Sequence, residues 1–551
     1  MILLMSAALA TSGFDPSAPE ATYVGDETYT QDGLTHLWSS ITLFEDPDRT
    51  LFVAEAFNDA ITWKDADYAP WIETCFGTGT PHSSAFLIHA GLRAEEAEGT
   101  PILFVPGAGD NGSRGFVTMA ARMDNAYRPV FALTFAHPHG DALRQAEIVA
   151  DAIRVIQDRT GSSQVDVVAH SKGGAALGAY ASHTPGTDWG RPDYEAVATP
   201  YAGNIRRAVF VAAPLGGIDT AYRWPNGNLF ALDAEEALAP SSWATYYPTG
   251  TAFPLNNESL KDQDFLPDGA DYFPGQRQLL APQPYPLPGS QQWLEGYALQ
   301  IDWYTSYNGG LGFYTDSDGI DAAVSAGGNF LGKLASAGID PAIELFLLAG
   351  SNPLMPNGDA ALADLFDGAA TESEWRDLLA AVDANAAPLS ATDAEITGLA
   401  TGQLVLGEVT GASDGIVFAS SALAGDTLTG RGAVIVETKT ANLSHLDLLY
   451  ASPITGQLMQ DQAAADDDLA WLGELGKRYA AEDTLGWVER VLADDPTVDP
   501  GSDTGVPDDT DTPAIDPGVG TRPCGSCDGT NVGFGPWILL PLFMLRRSKR
   551  S

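Results

Sequence analysis

One short segment in the first third of the chain limits the possible folds more than any other. Residues 165–169 (VDVVA) form an apolar run interrupted only by Asp166, and residues 172–181 form a run of mostly small residues. Between them Ser171 stands in AHSKG, which matches the pattern G-x-S-x-G with Ala169 in place of the first glycine. Only small residues fit two positions before and after the serine of a sharp strand-to-helix turn. The segment predicts a strand, a turn that raises the Ser171 hydroxyl above a sheet, and a helix; a chance serine in an ordinary turn is the alternative.

Strand-like and helix-like segments alternate around this turn. Residues 141–159 are predicted to form an amphipathic helix, because apolar residues recur three or four positions apart and Gly161 follows. Strands that alternate with helices favour right-handed crossovers and a mostly parallel sheet with helices on both faces. The predicted strands are residues 84–91, 101–105, 128–135, 165–169, 207–213, 343–349, 404–409 and 433–437, and the other predicted helices are residues 172–181 and 374–386.

Five segments carry a resemblance to a known family. They are FVPGAGD (104–110), VDVVAHSKGGAALGAY (165–180), FVAAPLGG (210–217), TGASDGIVFASSA (410–422) and SHLDLLYAS (444–452). Together they resemble the α/β-hydrolase family, and within it the secreted bacterial lipases and esterases. The resemblance implies an α/β-hydrolase fold, with a mostly parallel central sheet, a large cap or lid insertion and a disordered C-terminal tail. The sequence departs from the family pattern where VPG replaces the more usual His-Gly, and in the long interval before the acid.

A serine nucleophile needs a base, and the base needs a group that orients it. Seven of the eight histidines lie at or before His183, so His445 is the only one in the last 368 residues. The α/β-hydrolase order is nucleophile, acid, histidine. The resemblance therefore implies a triad of Ser171, Asp414 and His445. Many other aspartates lie between the serine and the histidine, and a lone histidine is more often a packed core or surface residue.

The oxyanion of such a reaction needs two backbone N–H groups. The family's positions correspond to Lys172, directly after the nucleophile, and to Ala108 in the glycine-rich loop 106–110. Glycines in that loop allow a close approach of the backbone. A nucleotide-binding loop is the alternative, but GAGDNG lacks both the G-x-G-x-x-G spacing and a P-loop lysine.

The chain divides by composition into a core, an insertion and a tail. Residues 20–220 and 401–492 are assigned to the two parts of the hydrolase core. Residues 221–400, rich in aromatic residues, Pro and Gly, form the insertion, with a core strand proposed near 343–349. The insertion is expected to act as a lid or an acyl-binding wall, or alternatively as a packed structural cap. His137 and His139 lie in a loop that flanks the active face of this fold, but a surface position is the simpler interpretation.

Both ends of the sequence resemble targeting signals. Residues 1–10 (MILLMSAALA) are apolar and end in a small-x-small pattern, which predicts a signal peptide. Residues 493–523 form an acidic linker rich in Asp, Pro, Thr and Gly. In residues 524–551 a Cys-x-x-Cys, a short apolar run and a basic end resemble the tripartite sorting signals of bacterial surface proteins, most closely the myxobacterial type. These segments predict export, followed by secretion or attachment to the bacterial envelope, with membrane contact only through the C-terminal segment.

The charge and the cysteine content exclude several other classes. A formal net charge of −45 argues against nucleic-acid binding, which needs a basic surface. Three cysteines are too few for a disulfide scaffold, and one Cys-x-x-Cys cannot complete a four-ligand zinc site. No cofactor is required for the expected chemistry. Some lipases bind structural calcium two residues after the catalytic histidine, here Asp447, but Ala451 replaces the second ligand and an acid at a helix N-terminus is the favoured interpretation.

The sequence is therefore expected to encode a serine hydrolase of carboxylic esters, a triacylglycerol lipase or a carboxylesterase, acting through an acyl-enzyme on a lipid or other ester. The same triad serves polyester depolymerases, acyltransferases and amidases, because fold does not decide the reaction. A non-catalytic surface-binding protein on this fold is a further alternative. The acyl chain length and the oligomeric state are not determined by the sequence.

Overall fold

The fold was analysed in a computed structural model. It describes residues 14–24, 28–31, 34–46, 74–95, 97–125, 128–195, 198–217, 275, 278–279, 324–325, 327–352, 403–406, 409–412, 414, 416–465 and 471–494. The predictions for the signal peptide 1–10, the helix 374–386 and the sorting signal 524–551 lie outside these residues, as do those for nearly all of the linker and most of the insertion. No helix within the described ranges is long and apolar enough to cross a membrane.

The described strands form one large sheet and one small one. In the large sheet the order is β1-β3-β4-β6-β5-β7-β8-β9-β12, with β2 paired to β3; β10 and β11 form a separate antiparallel pair. The strands from β6 to β12 along this order are parallel to one another, whereas β1, β3 and β4 pair antiparallel. The strands are β1 (Ala21–Val24), β2 (Thr28–Gln31), β3 (Leu34–Glu45), β4 (Ala85–Gly91), β5 (Ile102–Val105), β6 (Val130–Phe135), β7 (Val165–His170), β8 (Ile205–Val211), β9 (Glu344–Gly350), β10 (Gln403–Leu406), β11 (Val409–Ala412) and β12 (Val434–Ala441).

Helices connect the parallel strands. Two helices lie between β5 and β6, a long helix leads from β6 to β7, and the helix after Ser171 leads from β7 towards β8. The helices are α1 (Gly112–Gly115), α2 (Val117–Asn125), α3 (Ala142–Thr160), α4 (Lys172–Ser182), α5 (Pro192–Glu195), α6 (Phe330–Ala337), α7 (Ala419–Ala422), α8 (Pro453–Ala465), α9 (Trp471–Glu482) and α10 (Thr484–Leu492), with 3₁₀ turns at Gly425–Thr427 and Asp447–Leu449.

The core has two apolar layers, one on each face of the sheet. Alternate residues of a strand lie on opposite faces. In β5, Leu103 and Val105 belong to the layer that includes α3, α4 and α6, whereas Ile102 and Phe104 belong to the layer that includes α2, α8, α9 and α10. Because both faces of the sheet are covered, the sequence of β5 is a continuous apolar run and does not alternate between apolar and polar residues.

Helix α3, the longest in the described ranges, lies within one residue of the predicted 141–159 at each end. The Asp141 side chain accepts a hydrogen bond from the Leu143 N–H at 2.8 Å, which caps the first turn, and Arg191 pairs with the same carboxylate at 2.6 Å. Gly161 ends the helix with φ of 67°, a left-handed conformation that glycine adopts without a steric penalty.

The predicted fold class is confirmed: helices cover both faces of a mostly parallel sheet in the strand order of an α/β hydrolase. The strand expected near 343–349 is β9, which lies between β8 and β12 in the parallel part. The single strand expected at 404–409 is wrong, since the structure has the separate strands β10 and β11 there. Gly407 interrupts that apolar run and is a strand breaker.

Candidate active site

Ser171 occupies the turn between β7 and α4. Its φ and ψ are 50° and −127°, a left-handed φ that residues with a side chain seldom adopt. Its N–H donates to the Val211 carbonyl at the end of β8 at 2.8 Å, and its own carbonyl accepts from the Gly174 N–H at 2.9 Å. The strand, the strained turn and the helix expected from AHSKG are all present, so the serine stands at the carboxyl end of a central strand.

The turn packs so closely against the loop after β5 that side chains are excluded. A Cβ atom at Gly173 would lie 2.5 Å from the Pro106 carbonyl oxygen. One at Gly107 would lie 2.9 Å from the Cβ of Ser171. Both distances are far below van der Waals contact, so glycine is required at both positions. The glycine-rich loop and the Ser171 turn are therefore in direct contact.

Asp414 and His445 lie next to each other although 31 positions separate them in the sequence. The Nδ1–H of His445 donates to Oδ2 of Asp414 at 2.8 Å, and the His445 backbone N–H donates to the Asp414 carbonyl at 3.0 Å. The other carboxylate oxygen, Oδ1, accepts from the backbone N–H groups of Ile416 and Val417 at 2.9 and 2.7 Å. Both carboxylate oxygens are thus used, which fixes the carboxylate and through it the imidazole ring.

Packing against neighbouring strand ends positions these two residues. Asp414 packs against Gly350 at the end of β9, where a Cβ atom would come within 2.6 Å of the Asp414 Cβ. Three residues separate His445 from the end of β12. Asp414 is completely buried and His445 is 1% exposed, so the pair is shielded from bulk water.

The second ring nitrogen of His445 is available for chemistry. Its Nε2 is buried and makes no hydrogen bond with any residue in the described ranges, Ser171 included. His445 contacts the serine turn at His170, the residue before Ser171. The centroids of the two imidazole rings are 4.7 Å apart. Hydrogen bonds between catalytic groups often form only when substrate is bound.

The two residues expected to form an oxyanion site flank the Ser171 turn. Ala108 is the next residue after Gly107, which contacts the serine, and it is 5% exposed. Lys172 is the first residue of α4, and the first N–H groups of a helix have no partner within the helix. The helix dipole also favours negative charge at this end.

The Lys172 side chain is fully buried, which the sequence did not indicate. Its ammonium group hydrogen-bonds to Oε1 of Gln145 on α3, and the Gln145 amide donates to the His137 carbonyl at 2.9 Å. His137 is 3% exposed and His139 is completely buried, so the expected surface position of both histidines is wrong. Gly275, from the insertion, donates to the His139 carbonyl at 3.1 Å, so the insertion contacts this loop.

Asp447, the residue considered for calcium, is bonded to two hydroxyl groups. Its Oδ2 accepts from the Ser444 hydroxyl at 2.6 Å and its Oδ1 accepts from the Tyr479 hydroxyl at 2.5 Å. Burial raises the pKa of Asp447 above its ordinary value, and burial next to this carboxylate raises the pKa of Tyr479 well above 10. Asp447 begins a 3₁₀ turn and ties the His445 loop to α9.

Three further residues make contacts at the site that the sequence patterns do not predict: His170, Tyr479 and Ser421. Ser421 joins the loop after β8 to the segment that follows Asp414, since its hydroxyl donates to the Gly217 carbonyl at 2.7 Å and accepts from the Gly216 N–H at 3.1 Å. His170 stands inside AHSKG and could have been considered from that position. Tyr479 carries no such signal, because its partner lies 32 residues away.

The chain was compared with known proteins. No family model and no curated protein matches it. Among solved structures it is similar to the Bacillus licheniformis lipase BlEst2 in mature form, with 14% identity over 66% of this chain and 92% of the other and a TM-score of 0.29. It is also similar to the product of the Listeria innocua gene lin2722, with 14% identity over 64% and 89% and a TM-score of 0.27. A carboxyl esterase from Bacillus coagulans has 13% identity over 49% and 76%, with a TM-score of 0.23.

The fold class follows from the chain's own strand order and does not depend on these similarities. Ser171, Asp414 and His445 follow or contact the carboxyl ends of β7, β9 and β12, and ligands of open α/β sheets bind outside the carboxyl ends of the strands. The protein is an α/β hydrolase in fold, with a serine, a histidine and an aspartate at that edge of its sheet.

Proposed function

We propose that this protein is a serine hydrolase that cleaves carboxylic esters through an acyl-enzyme. The observation that carries the proposal is the hydrogen bond from Nδ1 of His445 to the buried carboxylate of Asp414. In a neutral imidazole this bond places the proton on Nδ1 and leaves Nε2 as an acceptor. The Nε2 atom of His445 has no hydrogen-bond partner in the described part of the chain. A base in this state, in contact with the residue before a serine on a strained turn, fits nucleophilic catalysis.

In the proposed reaction the Ser171 hydroxyl attacks the ester carbonyl while Nε2 of His445 accepts its proton. The resulting imidazolium is stabilised by the Asp414 carboxylate, which also keeps the ring in the correct tautomer. The backbone N–H groups of Ala108 and Lys172 stabilise the oxyanion. His445 then protonates the leaving alcohol, and a water molecule activated by the same nitrogen hydrolyses the acyl-enzyme.

An ester of a lipid or another apolar acid is the proposed substrate. The support for this comes from the sequence: the insertion 221–400 is rich in aromatic residues and proline, and acyl-binding pockets are lined mainly by apolar side chains. We further propose that the protein acts outside the cytoplasm, because both terminal segments resemble export signals. Fractionation of the culture into medium, envelope and cytoplasm tests this location, since recovery of the whole chain in the cytoplasmic fraction would contradict it.

The test of the function compares purified wild-type protein with the Ser171→Ala variant on p-nitrophenyl butyrate and p-nitrophenyl palmitate. We expect turnover by the wild type and a loss of at least about a thousandfold in the variant, because no other residue replaces the nucleophile. Ser336→Ala, an exposed serine on α6, is the matched control and should retain full activity. Equal turnover by wild type and Ser171→Ala would contradict the proposal. The ratio of the two substrates separates an esterase from a lipase.

A further inference from the structure

His170 connects three parts of the candidate site. It is the last residue of β7 and directly precedes Ser171. Its ring packs against the His445 ring with an interplanar angle of 46° and a centroid distance of 4.7 Å. On the other side, a Cβ atom at Gly107 would lie 3.1 Å from Nδ1 of His170. His170 therefore lies between the nucleophile turn, the glycine-rich loop and the loop that carries the base.

A hydrogen bond fixes the protonation state of the His170 ring. Its Nε2 lies 3.2 Å from the backbone carbonyl oxygen of His445. A carbonyl oxygen can only accept, so Nε2 must carry the proton and donate. The other nitrogen, Nδ1, is buried and has no hydrogen-bond partner in the part of the chain that the structure describes. This pattern is that of a neutral imidazole with its proton on Nε2.

Burial keeps that imidazole neutral. His170 is 2% exposed, and burial together with the neighbouring His445 lowers the pKa of His170 well below 6.5. A positive charge on His170 would oppose the imidazolium that forms on His445 during the proposed reaction. A neutral ring provides a hydrogen-bond donor without this repulsion.

Asp414 and His170 together form hydrogen bonds with every polar group of His445 except one. The His445 backbone N–H donates to the Asp414 carbonyl at 3.0 Å, its Nδ1–H donates to the Asp414 carboxylate at 2.8 Å, and its carbonyl accepts from His170 at 3.2 Å. Asp414 thus holds the base from one side and His170 from the other. Only the Nε2 atom, which must receive the serine proton, is without a partner among the described residues.

We propose that His170 is a positioning residue for His445. Its Nε2–H donates to the His445 carbonyl and its ring packs against the His445 ring. These two contacts keep the base aligned with Ser171, the residue that follows His170. The proposal rests on the proposed function, because it gives His445 the role of the base. It assigns a role to the residue before the nucleophile that the G-x-S-x-G pattern leaves open.

Two substitutions separate the donor from the bulk of the ring. His170→Gln keeps an N–H donor on a chain of similar reach, whereas His170→Met has similar length and volume but no donor. We expect His170→Met to lower kcat for p-nitrophenyl butyrate by about tenfold or more with KM within about twofold, since misorientation of a catalytic group raises the barrier more than it weakens binding. We expect His170→Gln to recover most of this loss. Thermal unfolding of both variants shows whether they are equally stable.

A readout independent of turnover accompanies the kinetics. The proton NMR resonance of the His445 Nδ1–H reports its hydrogen bond to Asp414, and it is assigned by its loss in His445→Gln. We expect this resonance to shift or broaden in His170→Met and to stay near the wild-type position in His170→Gln. Equal kcat and equal resonances in wild type, His170→Met and His170→Gln would overturn the proposal, and so would equal losses in both variants with matching losses of stability. If the wild type shows no turnover that depends on Ser171, the proposed function fails, and the resonance alone decides whether His170 positions His445.

Discussion

At the scale of single residues, the site depends on a few buried hydrogen bonds that leave one nitrogen atom uncommitted. Asp414 satisfies both of its oxygens, one with backbone N–H groups and one with His445. A buried carboxylate that is fully bonded has a fixed orientation, and this orientation passes to the imidazole. The fold thus brings Asp414 and His445, which lie far from Ser171 in the sequence, to the same edge of the sheet as Ser171.

Asp414→Asn tests this orientation with little change in shape. The asparagine oxygen can still accept from the backbone N–H groups of Ile416 and Val417, so we expect the loop to fold. The amide can also donate to the ring and stabilise the wrong tautomer of His445, and kcat for p-nitrophenyl butyrate should fall by about 10⁴-fold. A kcat within tenfold of the wild type would show that Asp414 is not the orienting acid.

At the scale of secondary structure elements, the junction of β5, β7 and α4 positions the serine. α4 can begin this close to the loop after β5 because Gly173 and Gly107 lack side chains. Ala169 and Gly173 are the small residues that such a turn requires in the sequence, and for that reason the turn could be predicted. The role of Gly107 could not be predicted with the same detail, since the loop that it belongs to approaches from another part of the chain.

Gly173→Ala tests the junction. The added methyl group would lie 2.5 Å from the Pro106 oxygen and 2.7 Å from the Val105 oxygen, so α4 must move away from β5. We expect a loss of about 1–3 kcal/mol in the free energy of unfolding, as for other overpacked sites, and a fall in kcat of at least about tenfold. Urea titration and hydrolysis of p-nitrophenyl butyrate measure the two effects.

Gly473→Ala is the matched control for this substitution. Its added methyl group would lie 3.4 Å from Cβ of Ala463, an ordinary contact, within the helix α9. Alanine favours a helix over glycine by about 1 kcal/mol, so the control should be as stable as the wild type or more stable, with unchanged kcat. Equal behaviour of the Gly173 and Gly473 variants would contradict the account of the junction.

At the scale of the whole molecule, a charged cluster lies at the amino-terminal ends of the parallel strands, opposite to the candidate site. Asp166, the polar residue within the apolar strand β7, is completely buried and pairs with Arg128 at 2.7 Å and Arg206 at 2.5 Å. Both arginines also contact the carboxylate of Asp494, two residues after the end of α10. The cluster joins β7 and β8 to the C-terminal end of the core, and the parallel order of these strands places it about 16 Å from Ser171 along β7.

Asp166→Asn tests whether the free energy of unfolding can be lowered at this cluster without a change in kcat. Removing the charge leaves two partly buried guanidinium groups without their shared partner, and we expect a loss of about 3–5 kcal/mol in the free energy of unfolding. kcat should remain unchanged at temperatures where the variant is folded, because the cluster lies at the other edge of the sheet. Asp494→Asn, whose carboxylate is 40% exposed, should lose at most about 1 kcal/mol. A large fall in kcat in folded Asp166→Asn would contradict this separation.

Local patterns predicted much of the core. The fold class, the turn at Ser171 and helix α3 follow from short-range features: an apolar strand, small residues at fixed offsets, apolar residues three or four positions apart and a terminal glycine. The buried positions of His137 and Lys172 could not be predicted in this way. They depend on contacts with α3 and with the insertion, and no short sequence pattern encodes them. The division of residues 404–409 between two strands depends on Gly407, a single residue within an otherwise strand-like run.

A fluorophosphonate probe shows whether Ser171 is a nucleophile that His445 activates. Purified full-length protein is labelled, digested and mapped by mass spectrometry, in parallel with Ser171→Ala and His445→Gln. We predict a single adduct on Ser171 in the wild type, no adduct in Ser171→Ala and much slower labelling in His445→Gln. An adduct on a different serine, or labelling of Ser171 at an unchanged rate without His445, would contradict the account.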